Sequence, residues 1–172
     1  MRQQVILALA VSIGVCRGAD MPEQAKRGST LFFQSTKGLP CATCHQLEGK
    51  GTPAGPDLKN IAVVSPHAMA IAVLATRTAY VVELETAAGR KFPAMQHGET
   101  PEGVVYYDLS AGAPKPVTLK KAEIKSSRDN AKWKHPPEST GYTQEELADV
   151  IAYIRFVTRG VTDAVNPADM KR

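Results

Sequence analysis

A chain of 172 residues is about the length of one ordinary domain. Its formal charge of +4 falls to +2 once residues 1–18, with Arg2 and Arg17, are set aside, and so near-neutral a chain excludes a nucleic-acid binder built on a clustered basic face. Of the three cysteines only Cys41 and Cys44 lie beyond that stretch, which excludes a structural disulfide framework.

Residues 1–18 have the three parts of a secretory signal peptide: a positive start at Met1-Arg2, an apolar run over 5–15, and the small-residue stretch Cys16-Arg17-Gly18. Eleven apolar residues fall short of the roughly 20 that span a bilayer. A permanent N-terminal anchor is the bland alternative. A lipoprotein site at Cys16 is disfavoured by the bulk of Val15. The expectation is export to the periplasm or beyond, with 19–172 as a single domain.

Residues 22–34 form the first helical pattern, with Pro22 suited to a first turn and Ala25, Gly28, Leu31 and Phe32 on one face. A Thr-Lys-Gly-Leu-Pro loop leads to Cys41-Ala42-Thr43-Cys44-His45. Cys-x-x-Cys-His is the signature of covalent haem attachment. Two thiols three apart can add to the two vinyl groups on one edge of a porphyrin, while the adjacent His45 offers an imidazole nitrogen to the iron. A dithiol redox pair would follow a buried strand in a βαβ unit, and a zinc site would need two further ligands from His67, His97 and His135, which show no paired spacing. One haem c, bound through Cys41 and Cys44 with His45 on the metal, is therefore expected.

Gly49, Gly51, Pro53, Gly55 and Pro56 then make an irregular loop. Residues 65–76 read as a helix capped by Ser65, with Pro66 at its first position. The pattern changes over 79–86, where alternation indicates a strand, and 103–109 and 116–124 are further strand candidates. A small β element over approximately 77–127 is thus expected inside a helical domain. Residues 115–134 are locally basic, either an ordinary solvated surface or a patch that steers an acidic partner. Thr143 caps a last helix with Glu145 and Glu146 in its first turn and Leu147, Val150, Ile151, Ile154 and Val157 on one stripe.

Together these features resemble a class I cytochrome c domain. Gly28 to Phe32 matches that family's Gly-x-x-x-aromatic helix, Ala152-Tyr153-Ile154 the helix it crosses, and Gly55-Pro56-Asp57-Leu58 the loop behind the ligand histidine. The resemblance covers roughly 22–65 and 130–160. It implies a mainly α fold, the cytochrome c fold with the small β element inserted before the last helix. It also implies that the Pro56 carbonyl accepts a hydrogen bond from His45, the kind of outer contact that orients a metal-bound imidazole.

On the far side of the iron the family usually places Met-Pro about ten residues before the acidic start of the last helix. Here that offset from Glu145 falls on His135, followed by Pro136, and no methionine lies between Met95 and Met170. Ligation by His45 and His135 is the first reading. Met95, then His97 or Met69, and an open iron position are the alternatives, with plain core packing the default for both methionines. Trp133, Tyr142 and Tyr153 are candidates to line the pocket, packing alone being the equal alternative. The family resemblance implies an electron carrier working between a periplasmic dehydrogenase and a terminal acceptor; a monomer is expected, and a peroxidase-like enzyme is not, since the sequence offers no dedicated distal acid/base pair. The rival is a haem-based gas or redox sensor in which the distal ligand leaves.

Overall fold

The computed structural model describes residues 20–34, 37–74, 80–135 and 141–171. Residues 1–18 and Pro136 lie outside them, and with them the expected signal peptide. Among the described residues no helix is long and apolar enough to cross a membrane.

Three α-helices are present among the described residues: α1 (Glu23–Phe33), α2 (Pro66–Leu74) and α3 (Gln144–Arg159). Helix α3 starts on a reciprocal cap: the Thr143 hydroxyl oxygen accepts from the Glu146 amide at 3.2 Å, and the Glu146 carboxylate accepts from the Thr143 amide at 2.8 Å. It stops at Gly160, whose left-handed φ of 65° lets its amide reach back to the Phe156 carbonyl at 2.7 Å. Helices α1 and α3 cross at Gly28, where a Cβ would lie 1.8 Å from the Asp149 carbonyl oxygen. Only glycine allows backbones that close. Beside the crossing Arg27 grips the buried Asp149 carboxylate with two hydrogen bonds of 2.8 Å each. Phe32 and Phe33 pack on the Tyr153 ring at 5.7 and 6.2 Å.

Helix α2 lies against α3 and the short C-terminal 3-10 turn Pro167–Met170, burying Met69 and Ala70. The tail is fastened twice. Gln24 exchanges hydrogen bonds of 2.9 and 2.8 Å with the Val165 backbone, and the Asp169 carbonyl oxygen meets His67 Nδ1 at 2.8 Å.

A two-stranded hairpin, β1 (Gln46–Leu47) and β2 (Lys50–Gly51), follows the cysteine motif. The remaining strands are β3 (Val81–Thr86), β4 (Lys91–Thr100), β5 (Gly103–Asp108), β6 (Lys115–Leu119) and β7 (Ile124–Asp129). They form one antiparallel sheet in the order β6-β5-β4-β3-β7. Leu84, Phe92, Ala94, Val104 and Tyr106 make a core of their own on one face, separate from the core between the helices.

The expectation of a mainly α fold is therefore corrected. Helix takes 36% and strand 27% of the described residues, an α+β composition. Two strands account for the difference. β4 carries Pro93 and Gly98 and a register shift between Gln96 and Gly98, features that break alternation. β7 reads Ile-Lys-Ser-Ser-Arg-Asp, with one apolar residue, and is fixed by its pairing with the distant β3. The expected strand over 116–124 is in fact two elements. The chain leaves β6 through the 3-10 turn Lys121–Glu123, held by the Lys120 amide on the Glu123 carboxylate at 2.7 Å, and enters β7 on the opposite edge of the sheet.

Candidate haem-binding site

The cysteine motif is wound into a 3-10 turn, Cys41–Thr43, entered through the extended Pro40. The Cys41 carbonyl accepts from the amides of Cys44 at 3.1 Å and His45 at 2.8 Å, which sets both thiols and the imidazole on one short turn. The hairpin β1–β2 then reverses the chain through Glu48 and Gly49, whose φ values of 49° and 76° suit a two-residue turn of the mirror-image type. It returns Gly51 to the motif so closely that a Cβ there would lie 2.3 Å from the His45 carbonyl oxygen. The Thr52 amide donates to the Ala42 carbonyl at 2.9 Å, and the Gly55 amide to the Cys44 carbonyl at 2.6 Å.

Gly55 and Pro56 thereby stand behind the His45 ring. His45 Nδ1 lies 2.8 Å from the Pro56 carbonyl oxygen, so Nδ1 is the protonated, donating nitrogen and Nε2 is left as the ligand atom. A Cβ on Gly55 would lie 2.7 Å from the ring's Cε1. Burial holds His45 below the usual imidazole range, against the opposing pull of the Pro56 bond.

His135 comes from the other side of the sequence and meets this ring. The two imidazoles stand 6.0 Å apart, centroid to centroid, inclined at 39°. That is close to the separation of two imidazoles that each place a nitrogen about 2 Å from one shared metal ion. Burial, and then the neighbouring His45, push His135 down to about 4. Both rings are therefore neutral at physiological pH, the form that binds a metal. The Trp133 ring abuts His135 edge-on at 6.3 Å.

The thiols are not those of a dithiol catalyst, which needs a depressed pKa. Burial raises Cys41, and burial together with Cys41 raises Cys44 to about 11. The Tyr142 hydroxyl lies 3.9 Å from Cys41 Sγ and donates to the Leu31 carbonyl at 3.4 Å. Among the described residues no group of three or more His, Cys, Asp and Glu converges to hold a metal ion. The two imidazoles face one another without the thiols converging on the same point, so a four-ligand zinc site is not formed there and a porphyrin would supply the remaining nitrogens. The donor set fits a haem.

The structure thus brings together Cys41, Cys44, His45, Pro56 and His135. It seats the other candidates elsewhere. Met69 is fully buried in the helical core. Met95 is buried in β4, between Val81 and Tyr107 in the sheet register. His97 is exposed at the irregularity in β4, its ring on Tyr107 at 5.5 Å. Tyr153 belongs to the helix crossing. The role of Gly55 was not read from the sequence, although its place directly before Pro56 was a signal for close approach.

A turn that carries two thiols and a histidine, backed by a carbonyl that orients the ring, is the arrangement that a covalently attached haem needs. The cytochrome c family model matches residues 25–102, just under half of the chain, and the match is consistent with a class I cytochrome c domain. The match takes in α1, the motif and β3 and β4, while α3 lies beyond it. No curated protein matches the chain. The domain supports a haem-binding protein that transfers electrons, and the family implies a covalently bound haem c.

Proposed function

We propose that this protein is a periplasmic electron carrier, without catalysis of its own, whose single haem is attached through Cys41 and Cys44 and held between His45 and His135. The separation and inclination of the two imidazoles carry the reading. The haem, when bound, supplies one-electron redox chemistry. The chain's own residues do the rest. Pro56 fixes the His45 tautomer, Gly55 leaves the ring its space, and the buried setting keeps both imidazoles neutral. Thioether ligation raises a haem's potential, so imidazole in its place sets this carrier toward the lower end. A monomer with ligands on both sides changes little between redox states, which suits brief docking between a dehydrogenase and a downstream acceptor.

The test is spectroscopic. The oxidised protein should lack the weak far-red band of methionine-ligated ferric haem, and His135→Ala should convert a low-spin spectrum to one with an open position. The methionine band in the parent protein would overturn the assignment. Fast and complete carbon monoxide binding by the reduced parent at neutral pH, rather than the slow binding that a seldom-opening distal ligand allows, would turn the reading to a sensor.

A further inference from the structure

The five-stranded sheet makes a core of its own yet sits in the chain immediately before His135. The end of β7 is built with more hydrogen bonds than a loose connection needs. The ladder runs one residue past the strand, the Asn130 amide donating to the Val81 carbonyl at 2.9 Å. The Asn130 side chain then closes the turn that follows: Oδ1 accepts from the Trp133 amide at 2.9 Å and the Lys132 amide at 3.2 Å. The Trp133 amide also lies 3.2 Å from the Asn130 carbonyl. An asparagine whose side chain accepts from the amides two and three residues on is a rigid local device. Its product is the position of Trp133, and the Trp133 ring stands at 86° against His135.

We infer that Asn130 is a positioning residue for His135, and that the inserted sheet is the mount from which the distal imidazole is held opposite His45. The inference rests on the ligation proposed above and assigns the insertion a place in it. A path of contacts connects the two: β3 holds Asn130 through Val81, Asn130 holds Trp133, and Trp133 backs the His135 ring. The sheet need not touch the iron to govern it. Whatever loosens the end of β7 raises the fraction of molecules in which His135 has swung away.

The experiment uses the full-length haem-loaded protein and carbon monoxide as the probe of an open distal position. Asn130→Ala removes the acceptor; Asn130→Asp keeps it. Asn130→Ala should raise the rate of carbon monoxide binding to the reduced protein about tenfold, the factor that one or two lost hydrogen bonds make in a local opening equilibrium. Asn130→Asp should return it to the parent rate. An Asn130→Ala protein that binds carbon monoxide as slowly as the parent, or an Asn130→Asp protein that behaves like the alanine variant, overturns the inference. General damage is read separately from the thermal unfolding midpoint: a lower midpoint with parental carbon monoxide kinetics means a structural role only, and also overturns it. His135→Ala separates the two proposals. If that variant opens the iron and Asn130→Ala does not, only the mount falls; if His135→Ala changes nothing, both fall.

Discussion

At Gly55 the chain has no room for one more carbon. The missing Cβ would lie 2.7 Å from His45 Cε1 and 2.9 Å from Nδ1, the nitrogen that the Pro56 carbonyl holds. Gly55→Ala should tilt the imidazole off that carbonyl at a cost of about 1–3 kcal/mol, the usual range for overfilling a packed site. Haem content per polypeptide should fall and the ferric spectrum should shift. Gly98→Ala, where nothing lies within 4 Å of the added carbon, should leave both unchanged. The cysteines and His45 were legible in the sequence because their chemistry depends on spacing inside one turn. Trp133 and Tyr142 were legible as candidates to line the pocket but not in what they touch, which is set by partners 101 and 111 residues away for Tyr142 and by a local side-chain turn for Trp133.

Among the elements, the crossing of α1 and α3 is the tightest joint. Gly28→Ala would drive a carbon into the Asp149 carbonyl oxygen and the Tyr153 Cβ, 1.8 and 2.9 Å away, and backbone cannot turn aside as a side chain can. The expected loss is about 3 kcal/mol, read from urea unfolding as a lower midpoint at unchanged slope. Both helices announce themselves in the sequence through caps and apolar spacing, which are local. The sheet is a different case. β3 and β5 alternate visibly, whereas β4 is disguised by Pro93 and its bulge, and β7 becomes a strand because β3, some forty residues earlier, offers its edge. Strand pairing over that distance leaves little trace in composition, so the mainly α fold implied by the resemblance left the β element too small.

Across the molecule, charge is distributed by the sheet order, not by the sequence order. The basic stretch 115–134 is divided between opposite edges, four strand spacings or roughly 19 Å apart, and Lys121 and Lys125 are paired with Glu99 and Glu85 at 3.2 and 2.7 Å. Among the described residues five carboxyls are held below their usual range, Glu23, Glu85, Glu102, Asp108 and Glu146. Burial raises Asp108, but the Ser110 hydroxyl and amide and the Arg90 guanidinium outweigh it; Lys125 lowers Glu85, and Lys37 with the Thr143 amide lowers Glu146. A depressed folded value means stability that is present above the unfolded value, near pH 4, and is lost as pH falls through the folded one. Thermal midpoints should stay level near neutrality and drop below about pH 4. Asp108→Asn should lower the neutral midpoint and flatten that acid slope.

The Tyr142 hydroxyl on Cys41 Sγ bears on the order of assembly. Under the proposed attachment, the thiol must meet a vinyl carbon of the haem, and in the described fold the Tyr142 hydroxyl, from the segment that leads into α3, stands beside it. Attachment before α3 docks would leave that thiol open on the Tyr142 side, and docking of the helix would then close over the linkage.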